Sequence, residues 1–104
     1  MSPTLTGMLS FIALATLSSA AVAADAANGE AVAKRWCAAC HLVATDQQRG
    51  STQAPPFSAV VRTLGFDSGK LALFLLEPHP KMPNLNLSRN QANDLAAYIA
   101  LQGK

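Results

Sequence analysis

The clearest helical pattern in the chain lies close to its C-terminus. Ser88 and Gln91 fit the capping-box pattern, in which a serine and a glutamine three positions later close the start of a helix. Apolar residues then recur at the spacing of one helix face, at positions Ala92, Leu95, Ala96, Tyr98 and Ile99. This pattern predicts a final helix with one buried face.

Three earlier segments also favour helix. They are a segment that begins within residues 25–28 and runs towards residue 40, a short segment over about 57–64, and a segment over about 69–77. Asp67 or Ser68 is the expected cap of the third, and Pro78 is expected to stop it. Since no run alternates apolar and polar residues as a strand would, the sequence predicts an all-α fold.

The first 24 residues contain no charged side chain, so all fourteen Asp, Glu, Lys and Arg residues fall within 25–104. An apolar stretch over 8–17 precedes small residues over 18–24, as in a secretory signal peptide cleaved near Ala23 or Ala24. The usual basic residues before the apolar stretch are missing. An uncleaved membrane anchor is the alternative, because residues 5–24 are long enough to span a bilayer. Both readings place a single domain, residues 25–104, outside the cytosol.

Composition narrows the class of protein. A net charge of +2 excludes a strongly basic nucleic-acid binder, and two cysteines exclude a multi-disulfide scaffold. Residues 25–104 form a small domain, and domains of this size often depend on a disulfide, a metal or another staple in addition to their apolar core.

The decisive motif is Cys37-Ala38-Ala39-Cys40-His41, the Cys-x-x-Cys-His signature of c-type haem attachment. Residues three and four apart on a helix are neighbours, so Cys37, Cys40 and His41 are expected to share one face. Two thiols can then bond to the vinyl edge of a porphyrin while the imidazole reaches the iron.

Three other interpretations of the cysteines remain open at this point. A thioredoxin-like redox pair belongs in a βαβ setting, for which the sequence gives no parallel-sheet signal. A structural disulfide is compatible with an oxidising compartment. A zinc site requires two further ligands, for which only His41 and His79 are available.

Taken together, residues 25–103 resemble the class I c-type cytochromes, in particular the small periplasmic ones of bacteria. The resemblance implies three to four short helices wrapped around one covalently attached haem, with the haem motif at the end of the first helix. It also implies that the C-terminal helix crosses the first at Gly29, with Leu95 and Tyr98 as the partners.

The resemblance assigns two further residues to the haem site. Pro55, within Ala54-Pro55-Pro56-Phe57, corresponds to the proline whose carbonyl accepts the Nδ1 proton of the proximal ligand, His41. Met82, within a loop that contains Pro78, Pro80 and Pro83, corresponds to the second axial ligand. The cofactor is then one haem c, bound by Cys37, Cys40, His41, Pro55 and Met82, with iron ligated by His41 and Met82. His79 is the competing sixth ligand, and Lys81 is a possible replacement for Met82 at high pH.

Other features of the family have no clear counterpart. The single tryptophan, Trp36, directly precedes the haem motif, so it does not match the indole that many relatives place against a haem propionate. The candidate propionate partners are Arg49, Gln53, Arg62 and Lys70. Asn84 or Asn86 is the candidate hydrogen-bond donor to the Met82 sulfur.

Function follows from the ligands. With both axial positions filled, the resemblance implies a periplasmic electron carrier rather than an enzyme, passing electrons from a donor dehydrogenase or reductase to an acceptor oxidase or reductase. A haem enzyme or a peroxide or gas sensor is the alternative if Met82 can leave the iron. A non-haem thiol-disulfide protein is the third hypothesis.

Overall fold

The structure is a computed structural model of the 104-residue chain. It describes residues 23–47, 54–77 and 81–103, together with Pro3, Gly7, Ile12 and Ala13. Within these residues it contains four helices and no strand, which confirms the all-α prediction. The helices are α1 (Ala26–Trp36), α2 (Phe57–Val61), α3 (Ser68–Leu76) and α4 (Arg89–Leu101).

Helix α1 begins where the sequence predicts and ends earlier. The Asp25 side chain caps it by accepting hydrogen bonds from two backbone N–H groups of the first turn. The expectation that the helix continues towards Cys40 is wrong beyond Trp36. The reason is that the Ala38 N–H donates to the Ala33 carbonyl, five residues earlier, which interrupts the regular ladder to the fourth preceding residue.

Helices α2 and α3 also agree with the sequence apart from their ends. Helix α2 is shorter than predicted, because after Val61 the chain continues as tight turns that lead to Gly65, whose φ of +76° suits glycine. The cap of α3 is Asp67, whose carboxylate accepts from the Lys70 N–H at 2.9 Å. At the other end Glu77 is already extended, as expected for a residue that precedes a proline.

The capping box predicted for α4 is present in full. The Ser88 hydroxyl accepts from the Gln91 N–H at 3.1 Å, and the Ser88 N–H donates to the Gln91 side chain at 2.9 Å. The five apolar residues of the predicted face are all buried. These residues let α4 pack against the other three helices.

The backbones of α1 and α4 cross in direct contact at Gly29. A Cβ atom added at Gly29 would collide with the backbone carbonyl of Asp94 and would lie 2.9 Å from the Tyr98 Cβ. Of the two expected partners, Tyr98 is therefore present at this contact, and the Asp94 backbone lies there as well. The Asp94 carboxylate also accepts from the Asp25 N–H at 2.7 Å and from Asn28 Nδ2 at 2.8 Å. Only glycine permits this approach.

The core has two parts. The larger lies between α1, α2, α4 and the segment after the cysteine motif, and its buried residues are Val32, Ala33, Val43, Phe57, Leu95, Tyr98 and Ile99. The smaller joins α3 to α4 through Ala72, Ala92 and Ala96, whose small side chains let the two helices approach closely. Cys37 and Ala38 of the cysteine motif pack against the larger part, which is built mainly from α1 and α4.

Most of the predicted leader, residues 1–24, lies outside the described residues. In the part of the chain that the structure describes, no helix is long and apolar enough to cross a membrane. The leader and its cleavage near Ala23 or Ala24 therefore stay predictions.

Candidate functional site

The cysteine motif forms a single turn directly after α1. Cys40 and His41 both donate their backbone N–H to the Cys37 carbonyl, at 3.1 Å and 2.9 Å. The bond from His41 to Cys37 spans four residues, as in an α-helix, although both residues lie after the end of α1. The spacing of the motif therefore brings the two thiols and the imidazole to one short turn.

The His41 ring is held from one side by the Pro55 carbonyl. The distance from His41 Nδ1 to Pro55 O is 2.6 Å, and because a carbonyl only accepts, Nδ1 carries the proton. Among the described residues, Nε2 has no hydrogen-bond partner, so its lone pair is available. The Phe57 ring packs against the imidazole with 5.4 Å between ring centroids. These contacts set both the tautomer and the orientation of the ring.

The two thiols are not those of an activated redox pair. Neither is in a disulfide; Cys37 is partly buried and Cys40 is exposed. Burial, and then repulsion from the Cys40 thiolate, raise the pKa of the Cys37 thiol to about 11. Catalytic thiols of the Cys-x-x-Cys type have pKa values lowered to about 3.5–7.5. Together with the lack of strands in the described ranges, this argues against the thioredoxin-like interpretation.

The zinc interpretation gains no support either. Within residues 23–47, 54–77 and 81–103, no group of three His, Cys, Asp or Glu side chains is placed to hold a metal ion. His79, the possible additional ligand, lies outside the described residues.

Gln47 is a residue of the site that the sequence analysis missed. Its side-chain Oε1 accepts from the Val43 N–H at 2.8 Å, while its Nε2 donates to the Ala38 carbonyl at 3.1 Å and to the His41 carbonyl at 2.9 Å. In the sequence it is one residue of a polar stretch, and no spacing rule distinguishes it from its neighbours. Its contacts with the cysteine motif become visible only in the fold.

Tyr98 of α4 anchors the segment that follows the motif. Its hydroxyl donates to the Val43 carbonyl at 2.6 Å, and the residue is only 6% exposed. Its ring packs edge-on against Phe57, with 6.4 Å between centroids. The Phe57 N–H in turn donates to the Leu42 carbonyl at 2.9 Å. Helix α4 thus supports His41 indirectly, through Phe57 and through the backbone after the motif.

Replacing Tyr98 by phenylalanine removes this hydrogen bond and leaves the Val43 carbonyl without its partner. We expect Tyr98→Phe to lower the free energy of unfolding by about 1–3 kcal/mol at neutral pH. Burial, and then the Glu30 carboxylate, raise the pKa of Tyr98 above its ordinary value of 10.0. The neutral phenol therefore stabilises the fold fully below about pH 10, and this contribution is lost as the pH rises through the raised pKa.

Urea unfolding of the wild type and Tyr98→Phe between pH 7 and about pH 11 measures this effect. The difference between their unfolding free energies should be constant up to about pH 10 and then shrink. Tyr98 is the only tyrosine of the chain, so tyrosinate absorbance reports its ionisation directly. A difference that keeps its full size after Tyr98 has ionised would show that the phenol proton does not stabilise the fold.

Met82 is half-buried in the loop between α3 and α4. The hydrogen bonds that unite the cysteine motif with Pro55 and Gln47 do not include it. In the same loop, the Asn84 side-chain oxygen accepts from the Asn86 N–H at 3.1 Å, and Asn86 has a left-handed φ of 51°. Lys81 is exposed. The axial role of Met82 and the hydrogen-bond donor to its sulfur stay predictions.

The candidate propionate partners are not tested by the structure. Arg49 and Gln53 lie outside the described residues, whereas Arg62 and Lys70 are exposed. Trp36, which precedes the motif, is half-exposed and carries the Arg35 guanidinium 5.1 Å from its ring centroid. The assignment of propionate partners therefore stays open among the four predicted residues.

Comparison with known proteins identifies the family. The chain is 54% identical over 95 residues to cytochrome c-552 of Bradyrhizobium diazoefficiens, and the alignment spans 91% of each protein. The chain belongs to the small c-type cytochromes. No family model matches this cytochrome, and no solved structure matches it significantly. Its cofactor is haem c, which a c-type cytochrome bonds covalently to cysteine, and its two cysteines are Cys37 and Cys40.

The residues of the cytochrome fit this cofactor. Both thiols are free to form thioether bonds, and both lie on the turn that carries His41. Within the described residues, Nε2 of His41 makes no hydrogen bond, and it is therefore the nitrogen that can bind a metal. A covalent cofactor also provides the staple that a domain of this size needs.

Proposed function

We propose that this cytochrome is an electron carrier in which His41 and Met82 are the two axial ligands of the haem iron. The observation that carries the proposal is the 2.6 Å contact between His41 Nδ1 and the Pro55 carbonyl, on the turn that holds both cysteines. A histidine that ligates a metal through one nitrogen usually donates its other N–H to a carbonyl or carboxylate.

On the proximal side, two residues orient His41 for ligation. The Pro55 carbonyl keeps the proton on Nδ1, so Nε2 offers its lone pair. The Phe57 ring, 5.4 Å away, limits rotation of the imidazole. Since Pro55 lies two residues before Phe57, the first residue of α2, both contacts come from one continuous segment.

On the distal side, Met82 is the only methionine outside the predicted leader. Pro83 follows it directly, and a fixed proline φ limits the conformations of the loop. A thioether ligand opposite histidine raises the reduction potential of the iron. Ligation by Met82 therefore suits a carrier that delivers electrons to an oxidising partner.

When bound, haem supplies one-electron transfer between its ferric and ferrous states. Because His41 and Met82 would both hold the iron, no coordination position would be left for a substrate. This is the behaviour of a carrier. Its partners are redox proteins that donate and accept electrons.

Two features bear on how such partners meet the protein. On the turn between the cysteines Ala39 is exposed and Ala38 is partly buried, so we infer that partners dock beside this turn and the Met82 loop, in a small transient interface. The net charge of +2 is carried entirely by residues 25–104, and the haem propionates reduce it further. Electrostatic steering of partners is therefore weak.

We also propose that residues 1–24 are a cleaved signal peptide and that the cytochrome works in the periplasm. The absence of charge over 1–24 and the small residues at the end of this segment support the proposal. N-terminal sequencing of the periplasmic protein should begin at Ala24 or Asp25. Recovery of the protein only in membranes, with its leader intact, would contradict it.

A redox titration of the purified holoprotein tests the proposed ligands. We expect the wild type to show one reversible one-electron transition, and Met82→Ala to show a lower potential because the thioether no longer favours ferrous iron. Lys81→Arg is the matched control, since it alters the neighbouring exposed side chain and preserves its charge. Equal reduction potentials for the wild type and Met82→Ala would contradict the role of Met82 as an iron ligand.

A further inference from the structure

The carboxamide of Gln47 bonds to the backbone of the cysteine motif and to the backbone of the segment that follows it. Its Nε2 reaches the Ala38 carbonyl between the two cysteines and the carbonyl of His41 itself, at 3.1 Å and 2.9 Å. Its Oε1 accepts from the Val43 N–H at 2.8 Å. We propose that Gln47 is a positioning residue for His41, an inference that rests on the proposed axial role of His41.

Several residues hold different parts of the cysteine motif and of the segment after it. Pro55 holds the imidazole ring, Phe57 holds the Leu42 carbonyl and Tyr98 holds the Val43 carbonyl. All of these act on the ring or on the backbone after His41. In the described ranges, Gln47 supplies the hydrogen bonds to the Ala38 and His41 carbonyls. It therefore sets the position of the cysteine turn relative to the ligand.

The three hydrogen bonds require a primary amide. One planar group must supply two N–H donors and one acceptor, which a carboxamide does and a carboxylate, an ammonium or an alkyl group does not. The bonds are partly buried, so each lost partner leaves a backbone group poorly hydrated. Without the amide, the Ala38 and His41 carbonyls and the Val43 N–H must all find new partners, and the backbone that carries His41 moves to reach them.

Two variants with side chains of similar size distinguish the bonds that Gln47 donates from the bond that it accepts. Gln47→Met removes all three hydrogen bonds, whereas Gln47→Glu keeps an acceptor for Val43 and loses both donations to the motif. Gln102→Met is the matched control, because Gln102 also donates from Nε2 to a backbone carbonyl, that of Tyr98, at 3.2 Å. The control contact joins residues within and just after α4 and does not touch the cysteine motif.

The readouts are the hyperfine-shifted proton NMR signals of the iron-bound His41 ring in the ferric holoprotein and the reduction potential. We expect both Gln47 variants to shift or broaden the His41 signals and to change the potential. Gln102→Met should leave both readouts at their wild-type values even where its melting temperature falls. Should Gln47→Met fail to fold, Gln47→Glu alone decides the question.

Wild-type His41 signals in either folded Gln47 variant, with only a lower melting temperature, would overturn the positioning role. Failure of the proposed function looks different, because wild-type protein would then show no iron-bound histidine signals at all. The two failures are therefore distinguishable in the same set of spectra.

Discussion

We expect Gly29→Ala to lower the free energy of unfolding of the holoprotein by about 3 kcal/mol or more, at the upper end of what overpacking costs. The added Cβ collides with the Asp94 backbone carbonyl, and a backbone group cannot rotate away as a side chain can. Helices α1 and α4 must separate, although the Asp94 carboxylate ties them together through Asp25 and Asn28. Denaturant unfolding followed by circular dichroism measures the loss.

Gly69→Ala is the matched control for this experiment. It makes the same change in α3, where the added Cβ meets only the end of the Asp67 side chain, at 3.2 Å. We expect it to change stability by less than about 1 kcal/mol, since alanine also favours helix over glycine. Equal effects of the two substitutions would contradict the close crossing at Gly29.

Loss of both cysteines has the largest expected effect on the cofactor. We expect Cys37→Ser with Cys40→Ser to eliminate covalently retained haem, because serine forms no thioether and is otherwise nearly the same size. Each single variant keeps one attachment and a reduced yield of holoprotein. Haem staining after denaturing electrophoresis, or extraction of haem with acidified solvent, measures the retained fraction.

Ala39→Ser provides the control for the cysteine variants. It places a hydroxyl on the same exposed turn, between the two thiols, and leaves both in place. We expect it to retain haem as the wild type does. Haem that stays bound to the double variant through denaturation would show that another residue makes the covalent bond.

Local signals explain how much of the fold the sequence could predict. The capping box at Ser88 and Gln91 and the apolar face of α4 depend on residues close together in the chain, and the structure reproduces both. The end of α1 depends on which carbonyl accepts the Ala38 N–H, and propensity does not distinguish Ala33 from Lys34 as the acceptor. The predicted helix therefore ran four residues too far.

In the candidate site, too, the residues that the sequence predicts are those with a local motif or a family resemblance. The cysteine turn and His41 follow from one contiguous motif, and Pro55 was assigned through resemblance and lies at hydrogen-bond distance from His41. Gln47 could not be found, because its partners are backbone groups, which every residue possesses and no sequence pattern displays. The axial role of Met82 depends on the haem iron and stays a prediction.

Exposure of the reduced holoprotein to carbon monoxide tests the central claim, that His41 and Met82 close both axial positions of the iron, most directly. Visible spectra are compared for the wild type and Met82→Ala at a gas concentration that saturates the variant. We predict that the wild-type spectrum stays unchanged while that of Met82→Ala shifts to the carbon monoxide complex. A carbon monoxide complex formed as readily by the wild type would contradict the claim and indicate an iron open to ligands.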